Sequence, residues 1–515
     1  MEGNAMPGPA QRRANLVLIT VDCLRADHVG FMGYKRGTTP NMDRLASEGI
    51  VFQKAIVAGT PTYHSFPAIL AGRFPLALGR DIVGLAPGEP TLAGSLRRAG
   101  YATAAFVAGN PYLSRLYGYD HGFDMFEDFL NGSASRPSAT MHARSGDQDR
   151  KGPDRGNLLR RLNLLIRDAM RRLPGGEGLY NDLYFRYGLL VCSRPYRRHG
   201  WETWRRYPSA ETVTERALSW VQGNHRRPFF MWIHYMDVHR PQLPTSDALD
   251  AVGRRDLTPM RAFELYNFWI RDDITAERRR RILRDCVALY DASIWAVDRQ
   301  VGRLVDAMDA AEGADRTAVC ITSDHGEPFL ERGVHDHDPV LLTQEVIHVP
   351  LVIRTPGRDV GARSREVFSL VALPRTLLHV LAVPWSGMSG GGREGASESG
   401  ISRDGVALTE AVYGRTKDLV GQGRSMKPGL RLVCAQDARY KLILNLSTQE
   451  AFLYDLESDS TETRGSPLRG NPRVAGRLLE AIHEQVIGRT EARFSVHQIN
   501  ARLEGLRQAM TLRTW

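Results

Sequence analysis

Cysteine is scarce in this chain. The 515 residues include five, Cys23, Cys192, Cys286, Cys320 and Cys434, far apart and never in a Cys-x-x-Cys pair. A zinc ribbon and a disulfide framework are thereby excluded, and a reducing compartment fits. Long apolar runs are also missing: no stretch approaches the ~18 apolar residues that span a bilayer. The run Asn15-Leu-Val-Leu-Ile-Thr-Val21 follows Arg12-Arg13 much as a secretory signal would. It leads straight into Asp22, however, with no small-residue cleavage site, and so reads as a buried strand. A cytoplasmic location without stable membrane insertion is the resulting expectation.

Acidic residues are in deficit, 58 against 68 Lys and Arg, a net charge of +10. The segment Gly132–Gly200 holds 14 basic and 6 acidic residues, so eight of the ten excess charges lie there and the remainder is nearly neutral. Its first part, Gly132–Asp154, contains no aromatic residue to stack on bases, which argues against a nucleic-acid partner. Hydrophobic residues make up 42% and charged residues 24%, a globular mixture that rules out a wholly disordered chain.

What the chain does have is alternation. Leu16–Val21, Val51–Val57, Thr103–Val107, Phe229–His234, Thr317–Thr322 and Val349–Arg354 read as strands. Helical patterns lie between them at Thr39–Gly49, from Pro67, at Leu92–Arg98, Thr212–Gly223 and Ala276–Met308. Repeated strand–helix–strand order predicts an α/β fold with a mostly parallel sheet sandwiched by helices. Ser386–Gly405 is rich in Gly and Ser and marks a seam. Beyond it Leu430–Val433, Tyr440–Leu444 and Ala451–Tyr454 predict a small antiparallel sheet, followed by helix from Arg473. The domain reading is a tail over 1–14, a catalytic domain over 15–385 with a basic insertion at 132–200, a loop at 386–405, and a C-terminal α+β subdomain with a helical tail over 406–515.

Ligands of open α/β sheets bind beyond the carboxyl ends of the strands, and three such ends carry an excess of polar groups. Asp22 follows the first strand, Asp237 and His239 follow Phe229–His234, and Asp324-His325-Gly326-Glu327 follows Thr317–Thr322. Two Asp and a His suit a divalent cation, and Thr62, just before a helix, could be a nucleophile activated by it. His335-Asp-His337-Asp338 reads either as a second metal site or as one histidine facing the substrate beside a loop histidine.

In this order the motifs resemble the sulfatase-like branch of the alkaline phosphatase superfamily. The matching text is Asn15–His28, Thr39–Gly49, Thr62-Tyr-His-Ser65-Phe-Pro-Ala-Ile-Leu-Ala-Gly72-Arg73, His121–Asp124, Pro228–Pro241, Ser323–Glu327, His348–Arg354 and Tyr440–Leu456. The resemblance spans roughly residues 15–460. It implies an alkaline-phosphatase-like core, with a divalent cation (Mn, Zn, Ca or Mg) on Asp22, Thr62, Asp324 and His325. Thr62 would be the nucleophile, and His239 and His335 would contact substrate or protonate its leaving group. Asn110, Asp237 and His337 would lie on the substrate side, and the partner would be a small anionic ester. Departures matter here. Thr62 stands where sulfatases carry the Cys or Ser that becomes formylglycine, and threonine cannot yield that aldehyde. Cys23, His64, Phe66 and His325 replace a usual Asp, Pro, Arg and Asn. These changes lean toward phosphoesterases with a Thr nucleophile. A head-group transferase of the same chemistry and an inactive binding module remain the alternatives.

Overall fold

The computed structural model describes residues 13–75, 83–130, 165–224, 227–268, 275–312, 316–332, 337, 341–357, 361–385, 405–412, 431–446 and 448–487. The chain forms two compact units. Described stretches of the first run over 13–130, 207–239 and from 293 onward; those of the second cover 165–206 and 240–292.

The first unit is built on a nine-stranded sheet. Its strands are β1 (Asn15–Val21), β2 (Ile50–Ile56), β4 (Ala102–Val107), β5 (Met125–Glu127), β6 (Phe229–Tyr235), β7 (Thr317–Thr322), β8 (His348–Val349), β9 (Leu351–Arg354) and β10 (Ala362–Ser369). Their order is β10-β2-β9-β7-β1-β6-β4-β5, with β8 added on β2. β7, β1, β6, β4 and β5 run parallel, whereas β9 is antiparallel to both β7 and β2. Every residue of β1, β4, β6 and β7 is buried, as expected for parallel strands covered on both faces, and this explains their unbroken apolar runs. The mostly parallel, helix-flanked sheet expected from the strand–helix order is therefore present.

A second sheet carries β3 (Gly59–Thr60), β11 (Ala407–Val412), β12 (Arg431–Gln436), β13 (Tyr440–Asn445) and β14 (Ala451–Asp455), in the order β14-β13-β12-β11-β3. β11 to β14 form an antiparallel meander, and helix Pro472–Ile487 adds Leu478, Leu479 and Ile482 to their core. β3 joins this sheet in parallel with β11, Gly59 opposite Glu410 and Thr60 opposite Ala411. Glu410 N donates to Ala58 O at 2.8 Å and Thr409 Oγ1 to Val57 O at 2.6 Å. The seam at 386–404 and the tail beyond 487 lie outside the described residues.

Helix α1 (Pro40–Glu48) matches its prediction, but its ends work differently from the local pattern. Thr39 Oγ1 accepts from Gly30 N and donates to the Asp43 carboxylate, and it accepts from no helix amide. The first-turn amides of Asn41 and Met42 donate instead to Asp298, at 3.0 and 2.8 Å, an N-terminal cap supplied from 257 residues away. Gly49 closes the helix with an ordinary φ of −121°. A Cβ there would lie 2.7 Å from the Ile353 carbonyl oxygen, so close packing on β9 requires the glycine.

Candidate active site

Register places the site. Thr20 pairs with Thr322 and with His234, and Val107 pairs with His234. The segments leaving β1, β7, β6 and β4 therefore emerge together at one edge of the sheet. Asp22, directly after β1, is fully buried, and its amide donates to Tyr235 O at 2.9 Å. Cys23 follows in the left-handed region at φ 62°, a conformation that costs a non-glycine residue about 1 kcal/mol or more. The turn after β7 is pinned to the turn after β1: Ser323 Oγ donates to Val21 O at 2.7 Å and accepts from Leu24 N at 3.0 Å. Gly326 sits so close to neighbouring backbone that a Cβ would lie 2.0 Å from Glu345 O. Arg25 is spent on structure, pairing with Asp27 at 2.7 Å and Glu331 at 2.6 Å over the ring of Phe329.

Thr62 is the first residue of helix α2 (Thr62–Ala71), which starts five residues earlier than Pro67 suggested; that proline lies inside the helix. Thr62 Oγ1 lies 3.1 Å from His325 Nε2 and 3.4 Å from Asp22 Oδ2. His325 Nδ1 faces Gly326 O at 2.9 Å; a carbonyl can only accept, so Nδ1 carries the proton and Nε2 presents a lone pair to Thr62. Asp324 is fully buried, and its Oδ2 lies 3.5 Å from His325 Nε2. Asn110 Nδ2 reaches Asp22 Oδ2 at 3.3 Å while its Oδ1 accepts from Tyr112 N. Asp22, Thr62, Asn110, Asp324 and His325 thus lie together.

His337 reaches the same place. Its Nδ1 is 2.6 Å from Glu327 Oε2, and its ring centroid is 4.6 Å from that of His325 and 5.2 Å from that of His239. His239 is half-buried and packs edge-on against Tyr207. Asp237, two residues past β6, is half-buried. His335 lies outside the described residues, as do Asp336 and Asp338.

Three neighbours escaped the sequence reading. His234, inside β6, has its Nε2 3.4 Å from Asp22 Oδ2 while Nδ1 bonds Thr20 Oγ1 at 3.0 Å. Cys23 Sγ sits 3.1 Å from Asp22 Oδ1 and 3.4 Å from Glu327 Oε2. Glu327, 1% exposed, had no role assigned. A polar side chain inside the apolar, wholly buried run of β6 offered a signal for His234; nothing local marks the other two.

The buried carboxylates are shifted in opposite directions. Burial raises the Asp324 carboxyl above the ordinary range and the nearby Asp22 charge raises it further. Burial also acts upward on Asp22, but its contact with His234 and the surrounding histidines hold it well below that range. Asp324 Oδ2 is a buried acceptor with no hydrogen-bond partner among the described residues. Two buried carboxylates, a hydroxyl and an imidazole lone pair fit a divalent cation by donor type. Asp22, Cys23 and His325 bring ligand atoms within 4.8 Å of one another, and so do Cys23, His239 and His337.

A mostly parallel sheet with flanking helices, a separate antiparallel sheet near the C-terminus and this polar cluster at the strand ends define an alkaline-phosphatase-like hydrolase. The sulfatase family profile matches residues 14–383, and the chain belongs to the sulfatase family: it is a sulfuric or phosphoric ester hydrolase. An arylsulfatase of Clostridium perfringens is 25% identical over 388 residues, covering 72% of this chain and 74% of its own. The multifunctional alkaline phosphatase superfamily protein PehA of Trinickia caryophylli is 23% identical over 380 residues, covering 67% and 69%. The crystal structure of the phosphonate monoester hydrolase of Agrobacterium radiobacter superposes with a TM-score of 0.58 at 20% identity, covering 93% of this chain and 95% of that one.

Proposed function

We propose that this enzyme hydrolyses a phosphate ester, with Thr62 as the attacking group, and that aryl sulfates are poorer substrates. The observation that carries the reading is the position of Thr62 Oγ1, 3.1 Å from His325 Nε2 and 3.4 Å from Asp22 Oδ2. A sulfatase formylglycine is an aldehyde made from a primary carbon. Thr62 carries a secondary alcohol, whose oxidation gives a ketone, so catalysis rests on the hydroxyl itself. Asp22, Thr62, Asp324 and His325 would hold the divalent cation, which when bound would lower the pKa of a hydroxyl and offset charge on the ester oxygens.

The chain's own groups do the rest. Helix α2 presents Thr62 at its N-terminus, where an anionic group is favoured. The Thr62 proton has the Asp22 carboxylate within reach, Oδ2 lying 3.4 Å away, and Asn110, fixed by its own Oδ1 to Tyr112 N, holds its amide against that same carboxylate. The Thr62 oxygen bonds phosphorus as the ester oxygen departs with its electron pair, and His239 donates the proton that departing oxygen needs. Water then attacks phosphorus, the bond to Thr62 breaks, and phosphate leaves with the threonine hydroxyl restored. An alcohol in place of that water would make the same chemistry a transfer. His337 and Asp237 line the substrate side.

The test is a parallel assay of an aryl phosphate, an aryl phosphodiester and an aryl sulfate with Mn²⁺ or Zn²⁺, combined with intact-mass analysis of quenched enzyme. Turnover of phosphate esters with a transient phosphoryl adduct on the Thr62 peptide supports the reading. Sulfate-only turnover, or an adduct elsewhere, overturns it.

A further inference from the structure

We infer that the second unit docks the enzyme peripherally on an anionic lipid surface through the exposed face of helix Gly176–His199. Nine of the eleven exposed large hydrophobic residues among the described residues fall between Leu165 and Val191. A soluble surface carries such residues singly; a concentrated patch marks a contact. At 100° per residue, Leu179, Leu183, Tyr187, Leu190 and Val191 fall on one arc of the helix, and they are 50–66% exposed. The opposite face is already satisfied. Phe185, Leu189 and Tyr196 are half-buried there, and Tyr196 packs on Phe263 and Trp204 within the same unit. Core packing therefore accounts for one apolar face and leaves the other in water.

Charge selects the occupant. Residues 165–199 contain seven Arg against three Asp and Glu. The apolar arc is bracketed by exposed arginines, with Arg172 before it and Arg194, Arg197 and Arg198 in the last two turns. Arg194 and Arg197 lie on the arc itself. Two tyrosines, Tyr184 and Tyr187, are among its exposed rings. Aliphatic residues flanked by arginines and accompanied by tyrosine are the composition of a helix lying in the interface plane of a bilayer. There the apolar face enters the acyl boundary and the guanidinium groups meet anionic head groups. A protein partner would need an apolar groove of comparable length with acidic rims, whereas a bilayer meets both requirements wherever it is anionic. The 24-residue helix is interfacial rather than spanning: it carries Glu177, Asp182 and five basic side chains, and among the described residues no helix is long and apolar enough to cross a membrane.

The experiment is vesicle co-sedimentation of the full chain with pure phosphatidylcholine and with phosphatidylcholine containing one-third phosphatidylglycerol. Light scattering is read in parallel. Binding is expected on the anionic vesicles, weaker on the neutral ones and reduced by salt. L183D/L190D and R194Q/R197Q/R198Q should each lower the anionic-vesicle partition about tenfold or more, with aryl ester turnover in vesicle-free buffer unchanged. Absence of binding to anionic vesicles overturns the proposal, as does binding that either variant leaves intact. A monodisperse dimer of the wild-type chain that L183D/L190D dissociates would assign the face to a second copy and overturn it as well.

Discussion

Glu327 holds His337: the carboxylate oxygen Oε2 lies 2.6 Å from the ring nitrogen Nδ1, and both side chains sit beside Cys23 Sγ. A buried carboxylate on one nitrogen fixes the ring's orientation and tautomer and turns Nε2 outward. Glu327→Gln should lower kcat/KM by about 10–100-fold, chiefly through KM, and Glu327→Asp should recover part of the loss. A merely structural glutamate would instead lower the unfolding midpoint and leave KM alone, so denaturation and kinetics are measured on the same preparations.

Thr62→Ala should reduce turnover by at least about a thousandfold. The unfolding free energy should change by no more than about 1 kcal/mol, because the removed hydroxyl faces the site rather than the core. Thr62→Ser keeps the hydroxyl and should keep measurable turnover. Equal activity of the alanine and wild-type enzymes would remove Thr62 from the mechanism.

Metal-stripped protein should gain stability on addition of Mn²⁺ or Zn²⁺, by about 2.7 kcal/mol when the ion is at a hundred times its dissociation constant. Asp324→Ala should abolish both that gain and the bound metal measured by elemental analysis. A variant with full metal content would show that the orphaned Asp324 oxygen is not a ligand.

Asp298 predicts a pH effect remote from the site. Burial raises its pKa to about 6 although the amides of Asn41 and Met42 and the Asn41 side chain all donate to it. Between its unfolded value and pH 6 the folded protein binds more protons than the unfolded one, so stability falls as pH rises through that window, by roughly 3 kcal/mol from this group. Asp298→Asn should flatten the urea-unfolding free energy between pH 4 and 6. It should also weaken the fold by about 1–3 kcal/mol, because the amide nitrogen it introduces cannot accept from the start of helix α1.

The parts of this molecule written in short runs were readable from sequence. β1, β4, β6 and β7 are buried on both faces and therefore uniformly apolar, and the polar residues that follow them stand out because nothing in the core explains them. What could not be read was whatever reaches across the chain. The cap of helix α1 comes from Asp298, while Thr39, directly before the helix, bonds Gly30 N and the Asp43 carboxylate. Cys23 and Glu327 acquire meaning only through the contacts they make with each other and with His337. Helix Gly176–His199 contains Gly178, Gly188 and Pro195, which lower local propensity. Its packed face overrides that, and no window of sequence records the packing. β5 and β3 are three and two residues long, too short for a period to show.

The pairing of β3 with β11 has a consequence for the newborn protein. Thr62 lies two residues beyond a strand whose partner is supplied far later; Val57 and Thr409, bonded across that junction, are 352 residues apart. At ~5–20 residues per second, a ribosome needs on the order of 20–70 s between making one and the other. Throughout that interval the Thr62 hydroxyl has been synthesised but the strand before it lacks its β11 partner. The bonds that tie the segment before Thr62 to the second sheet therefore form only after the start of that sheet has cleared the exit tunnel.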